Sequence, residues 1–142
     1  MPNTAKIKLE KACQFLIIKA APSYNKDTCG HCARAVRMAV DFGFDGINIK
    51  QVQSAKDYGA SYETIGFKKV FSYPEKKIID YKPVVGDICI IQPVVENGKI
   101  IHPHGHICMF TKLGWISDFR QRDVFGGGIR DKNPSFCIYR YE

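Results

Sequence analysis

The densest chemistry in this 142-residue chain lies in Thr28-Cys29-Gly30-His31-Cys32-Ala33-Arg34-Ala35-Val36-Arg37. Cys32 falls where a helix with Ala35, Val36, Ala39 and Val40 on its buried face would begin. Unpaired backbone N–H groups and the positive end of the helix dipole favour thiolate over thiol there, and a thiolate is what a nucleophilic cysteine needs. Such a nucleophile also needs a base, commonly a histidine from elsewhere in the chain. The four histidines are His31, His102, His104 and His106. His31 adjoins Cys32, and sequence neighbours on a helix point to different sides, so it is a poor base. His106 follows Gly105 and opens the apolar run Ile107-Cys108-Met109-Phe110, which gives its imidazole a fixed strand position; His104 ranks second. Beyond the turn signal Lys112-Leu113-Gly114, Asp118 is placed in the partner strand, where an acid can hold the imidazole in its useful tautomer.

Other chemistries compete for the same residues. Cys29-Gly30-His31-Cys32 is a Cys-x-x-Cys motif at a helix start, the pattern of a thiol–disulfide oxidoreductase. That reading wants a short strand-to-helix turn before Cys29, and it leaves His106 and Asp118 without a role. Cys29 and Cys32 with two of His102, His104 and His106 would suit zinc by ligand type, but His-Pro-His-Gly-His does not match the usual spacing of the second ligand pair. Cys13, Cys89, Cys108 and Cys137 lie in apolar patterns and read as packing residues. Asp87 after Gly86 reads as a turn before a strand. Gly126-Gly127-Gly128 lacks the strand-Gly-Lys-Ser/Thr-helix setting of a phosphate loop and reads as a rim loop.

The elements that must position these residues follow from periodicity. Apolar residues at three- and four-residue steps predict a helix over 5–21, ended by Pro22-Ser23-Tyr24-Asn25. Asp27 or Thr28 can cap the second helix, and Phe42-Gly43 stops it. A broken stripe of Ala55, Tyr58, Tyr62 and Ile65 predicts helix over 51–65. Short β-branched and aromatic runs then predict strands at 67–73, 87–92, 106–111, 115–119 and 136–141, with 106–119 a hairpin and 120–135 a long irregular loop. Helices followed by antiparallel strands make an α+β fold, in one domain spanning 1–142.

Composition bounds the partners. The chain is 45% apolar and 25% charged, which excludes disorder, and 21 Lys+Arg against 14 Asp+Glu leave a net charge of +7. Such a charge favours anionic partners. The basic residues are scattered and form no nucleic-acid motif, so nucleic acid is not expected. No run approaches a membrane span, so no membrane insertion is expected. Phe15–Ile18 is too short for a secretory signal and is flanked by Lys11 and Lys19, so the expectation is synthesis in the cytosol without a cleaved leader.

The helix-starting Cys32-Ala33-x-x-Val36-Arg37, then Gly86-Asp87-Ile88, Gly105-His106-Ile107 and Trp115-Ile116-Ser117-Asp118-Phe119 resemble, in order and spacing, the papain-like peptidoglycan amidases and their NlpC/P60 and CHAP relatives. Within these the chain is most similar to the small type VI secretion amidase effectors, from about residue 26 to Tyr141. The resemblance implies a papain-like fold with N-terminal helices packed on an antiparallel sheet. It implies Cys32 as nucleophile, His106 as general base and Asp118 as orienting acid, with no cofactor or metal. It also implies hydrolysis of a peptidoglycan amide through a thioacyl-enzyme, with the Cys32 N–H as one oxyanion donor; Tyr24 and Asn25 are candidates for the second. A secreted effector of this kind acts in the periplasm of a target bacterium and is held in check by a cognate immunity protein.

Overall fold

The computed structural model describes residues 3–20, 31–101, 103–125 and 134–142. The expected helix end at Pro22–Asn25, the caps Asp27 and Thr28, Cys29, His102 and Gly126–Gly128 lie outside the described residues. Helix α1 (Asn3–Lys19) buries Leu9, Ala12, Cys13 and Leu16, the stripe its periodicity predicts. Helix α2 (Cys32–Gly43) buries Val36, Ala39 and Val40 against it. The two helices cross where α2 ends: a Cβ on Gly43 would sit 2.4 Å from the Lys8 carbonyl oxygen and 2.8 Å from the Ala12 nitrogen. Glycine at 43 therefore both stops α2 and sets how closely it lies on α1.

The sheet has five strands in the order β1-β7-β2-β5-β6: β1 (Phe67–Tyr73), β2 (Ile88–Ile91), β5 (His106–Thr111), β6 (Gly114–Ile116) and β7 (Phe136–Tyr141). All its pairings are antiparallel. Central strand β2 is buried at every position because both faces of the sheet are covered. Ile88, Ile90, Ile107 and Met109 face the helices with Leu9, Leu16, Val36 and Val40. Cys89, Ile91, Cys108 and Ile138 pack on the opposite side with Phe71, Val124, Phe125 and Phe136. Each fully buried Leu, Ile or Phe contributes roughly 1.5–3 kcal/mol, so this double-sided packing fixes the register of β2 and β5.

Asp87, fully buried at the entrance to β2, ties the sheet together. Arg140 of β7 grips it with Nε on Oδ1 at 2.8 Å and Nη2 on Oδ2 at 2.9 Å. The Tyr81 hydroxyl and the Val84 N–H also donate to Oδ2. Burial and the adjoining Asp87 carboxylate make Tyr81 reluctant to ionise, so it stays a donor in this network. Removing one partner from such a buried pair costs about 3–5 kcal/mol, which marks Asp87 as a structural residue.

Three elements depart from expectation. Residues 51–65 form a 3₁₀ turn at Ala55–Asp57 and a short helix α3 (Gly59–Glu63) in place of one helix. A hairpin of β3 (Val94–Glu96) and β4 (Lys99–Ile101) stands apart from the main sheet, turning at Asn97 and Gly98, both at positive φ. The strand expected over 115–119 ends at Ile116. There the chain turns back on itself, with Ser117 N–H donating to Phe119 O at 3.0 Å and Ile116 bridging Arg120.

Candidate active site

Cys32 opens α2 and is partly exposed, with its inner side packed on the helix-facing core. The residue before it, His31, sits at the N-cap without a side-chain capping bond. Its backbone N–H instead donates to Asp118 Oδ2 at 3.3 Å, so a carboxylate from the turn after β6 meets the helix start. Ser117 Oγ donates to the other oxygen of Asp118 at 3.2 Å. Fully buried Tyr62 lies within electrostatic reach of this helix start. Burial, then Tyr58 and Asp41, hold its phenol well above the ordinary value, Arg37 opposes them, and Cys32 adds to the rise.

His106 opens β5, opposite Ile91 of β2, and is only 3% exposed. The loop that delivers it is held closely. Gly105 has φ +68°, and a Cβ there would stand 2.2 Å from the Ile91 carbonyl oxygen. One residue earlier, His104 O accepts the Lys56 N–H at 2.9 Å, and His104 Nδ1 lies 2.7 Å from Ser54 Oγ. His104, the second candidate base, is thus engaged with the 3₁₀ turn at Ala55–Asp57. The His106 ring stands 6.2 Å from that of Phe119, the neighbour of Asp118. Asp118 touches the start of α2 while Phe119 touches the start of β5, so Cys32 and His106 are brought to the same end of the helix–sheet unit.

Gln121 is bonded to the imidazole. His106 Nε2 and Gln121 Oε1 are 2.7 Å apart, and the rest of the amide settles which atom donates. Gln121 Nε2 donates to Asp123 O at 2.9 Å and to Val124 O at 3.3 Å, which aims Oε1 at the imidazole. Oε1 only accepts, so His106 donates to it through Nε2. Gln121 reaches this place because the turn at 117–119 reverses the chain, and its N–H then bonds Trp115 O at 3.0 Å. The same turn takes Asp118 out of the strand in which it was expected; among the described residues its carboxylate is bonded to His31 and Ser117. No periodicity marks Gln121, which falls in what reads as an irregular loop. Its one sequence signal is chemical, since a histidine serving as a base would need a fixed acceptor at its far nitrogen.

Two features bear on the competing chemistries. Phe15–Ile18, which an oxidoreductase reading would take as the strand before Cys29, lies in α1. Cys29 and His102, which the zinc reading draws on, lie outside the described residues.

No family model and no curated protein matches the chain. Solved structures do, two of which are described. The native type VI effector–immunity complex Tae3–Tai3 from Ralstonia pickettii contains a chain 32% identical, aligned over 94% of this chain and 98% of that one, with a TM-score of 0.74. The selenomethionine form of that complex gives 31% identity, 91% and 98% coverage and a TM-score of 0.69. Likeness of sequence and backbone over nearly the full length of both chains leaves no separate part to be explained by another family, and this chain belongs to the Tae3 family of type VI effectors.

Proposed function

We propose that this effector is an antibacterial cysteine amidase that hydrolyses peptide bonds of peptidoglycan, with residues 1–142 forming one catalytic domain. The observation that carries the reading is the His106–Gln121 bond, which holds the imidazole by Nε2 at the start of β5. His106 Nδ1 takes the proton of the Cys32 thiol, and the sulfur attacks the amide carbonyl carbon. The Cys32 N–H receives the developing oxyanion, a type of contact worth roughly 2.7–4 kcal/mol. Collapse of the tetrahedral intermediate breaks the C–N bond, and the imidazolium gives its proton to the departing amine. Water then attacks the thioacyl group with His106 as base, releasing the acid and restoring the thiol. Gln121 holds the imidazole tautomer, the role the papain-like resemblance assigned to Asp118. Asp118 fixes the start of α2.

Membership of a family seen in effector–immunity complexes supports a cognate immunity protein that covers this site, and action in the periplasm of a target cell. The net charge of +7 suits an anionic wall polymer. Among the described residues no helix is long and apolar enough to cross a membrane.

Mass spectrometry of purified muropeptides tests the mechanism. Wild type is expected to give fragments heavier in sum by one water per bond cut, and Cys32→Ala and His106→Ala to give none. Cys29→Ser is expected to retain hydrolysis, whereas an oxidoreductase would lose turnover. Full hydrolysis by Cys32→Ala would overturn the mechanism.

A further inference from the structure

A groove of about 340 Å³ runs between the C-terminal end of α1 and the outer face of α2, and closes on the turn at Ser117-Asp118. Its floor is apolar, with Phe15, Ala35 and Met38, and Met38 is 40% exposed. Lys19 on the α1 wall and Arg34 on the α2 wall are exposed cations facing it, and among the described residues neither is paired with a carboxylate. At its inner end lie His31 and Asp118, so the groove ends one residue from Cys32. Asp118 at that end accepts the His31 N–H and the Ser117 hydroxyl and keeps its charge, so the two cations leave the groove with one positive charge in excess.

We propose that this groove is the subsite for the stem peptide on one side of the scissile amide, and that Arg34, seconded by Lys19, recognises a free carboxylate of that peptide. The proposal rests on the amidase reading and names the part of the substrate that the reading leaves open. Two cations over an apolar floor suit one carboxylate of a short peptide with small or alkyl side chains. They do not suit a polyphosphate, which needs a continuous basic track. A guanidinium is the better of the two at the task, because its planar fork meets both oxygens of a carboxylate.

Calorimetric titration of the Cys32→Ala protein keeps binding separate from turnover. The probe is the tetrapeptide L-Ala–D-isoglutamyl–diamino acid–D-Ala, alongside forms in which one carboxylate at a time is converted to carboxamide. Binding of the acid form is expected, with a loss of about tenfold or more on adding Arg34→Gln and a similar loss on amidating one particular carboxylate. The two changes together are expected to cost little more than either alone, since they remove the same contact. Lys69→Gln, an exposed cation on β1, serves as the charge control and is expected to leave affinity unchanged. Absence of binding, an Arg34→Gln effect equal on acid and amide peptides, or no effect at all would overturn the subsite. Failure of the wild type to cleave wall material, with Arg34-dependent binding intact, would instead overturn the amidase reading and leave the groove a carboxylate-binding site.

Discussion

At the residue scale the amide of Gln121 fixes how the His106 imidazole is held, and on the proposed mechanism which of its nitrogens would act. Its two donor bonds to Asp123 O and Val124 O turn Oε1 toward the ring, which makes Gln121 the acceptor of the His106 Nε2–H. Gln121→Ala removes the acceptor without touching the thiol or the imidazole. It is expected to lower kcat by about tenfold or more, within the range that general-base catalysis contributes, while KM changes little. Asp118→Asn keeps an acceptor oxygen for the His31 N–H and is expected to cost less than Gln121→Ala. Steady-state rates of both variants on the same muropeptide decide the matter, with a larger loss in Asp118→Asn returning the orienting role to the acid. Gln121→Glu adds a readout that a packing role would not move. A carboxylate against Nε2 stabilises the imidazolium, so the lower limb of the pH–rate profile should shift to higher pH.

At the element scale the site depends on two short devices, the loop that enters β5 and the turn that leaves β6. Gly105 has positive φ and no room for a side chain beside Ile91 O, so both backbone strain and contact forbid Cβ there. Gly105→Ala is expected to destabilise by about 1–3 kcal/mol and to lower activity by more than the loss of folded protein explains, because the loop it displaces carries His106. A denaturation midpoint beside an activity measured per folded molecule separates the two effects, and activity that merely tracks folding would show that the loop does not position the imidazole. Much of this architecture was legible. The apolar stripes of α1 and α2 repeat at helical steps, and the strands over 67–73, 106–111 and 136–141 stand as predicted because flanking Gly, Pro and Asn punctuate continuous apolar runs. What escaped was set by tertiary contact. Residues 115–119 carry strand-forming side chains, yet the chain reverses after Ile116 through hydrogen bonds among Trp115, Ser117, Phe119 and Gln121 that local pattern does not reveal. Residue type and spacing offer Cys32 and His106 as candidates. They do not offer Gln121, whose bond to His106 depends on that reversal.

At the scale of the whole molecule, the core holds thiols that the proposed mechanism does not use. Cys89 and Cys108 face each other across β2 and β5 in the closed layer beneath the sheet, and burial, aided by Cys108, drives the Cys89 thiol well above its ordinary value. Cys13, on the helix-facing side, approaches Met109 Sδ at 3.7 Å and Phe110 O at 3.5 Å. Burial pushes its pKa from 9.0 up to about 12; a backbone bond at Gly86 opposes the rise, and Glu10 and Asp87 add to it. A thiol whose pKa is higher folded than unfolded favours the native state while both forms are protonated. Its contribution is therefore complete below about pH 9 and lost as pH climbs toward 12. Between pH 8 and 10.5 Cys13 alone is expected to remove about 2 kcal/mol of stability, since each unit of separation is worth about 1.4 kcal/mol. Tyr139, raised by burial from 10.0 to about 12, adds to the same alkaline loss. Cys13→Ala lowers stability at pH 7 by opening a small cavity, but it also deletes one of these titrations. Its urea midpoint is therefore expected to fall less steeply than the wild type's from pH 8 to 10.5. Parallel decline of the two proteins would mean that the Cys13 thiol does not govern the alkaline limit; convergence would show that burying this thiol sets part of that limit.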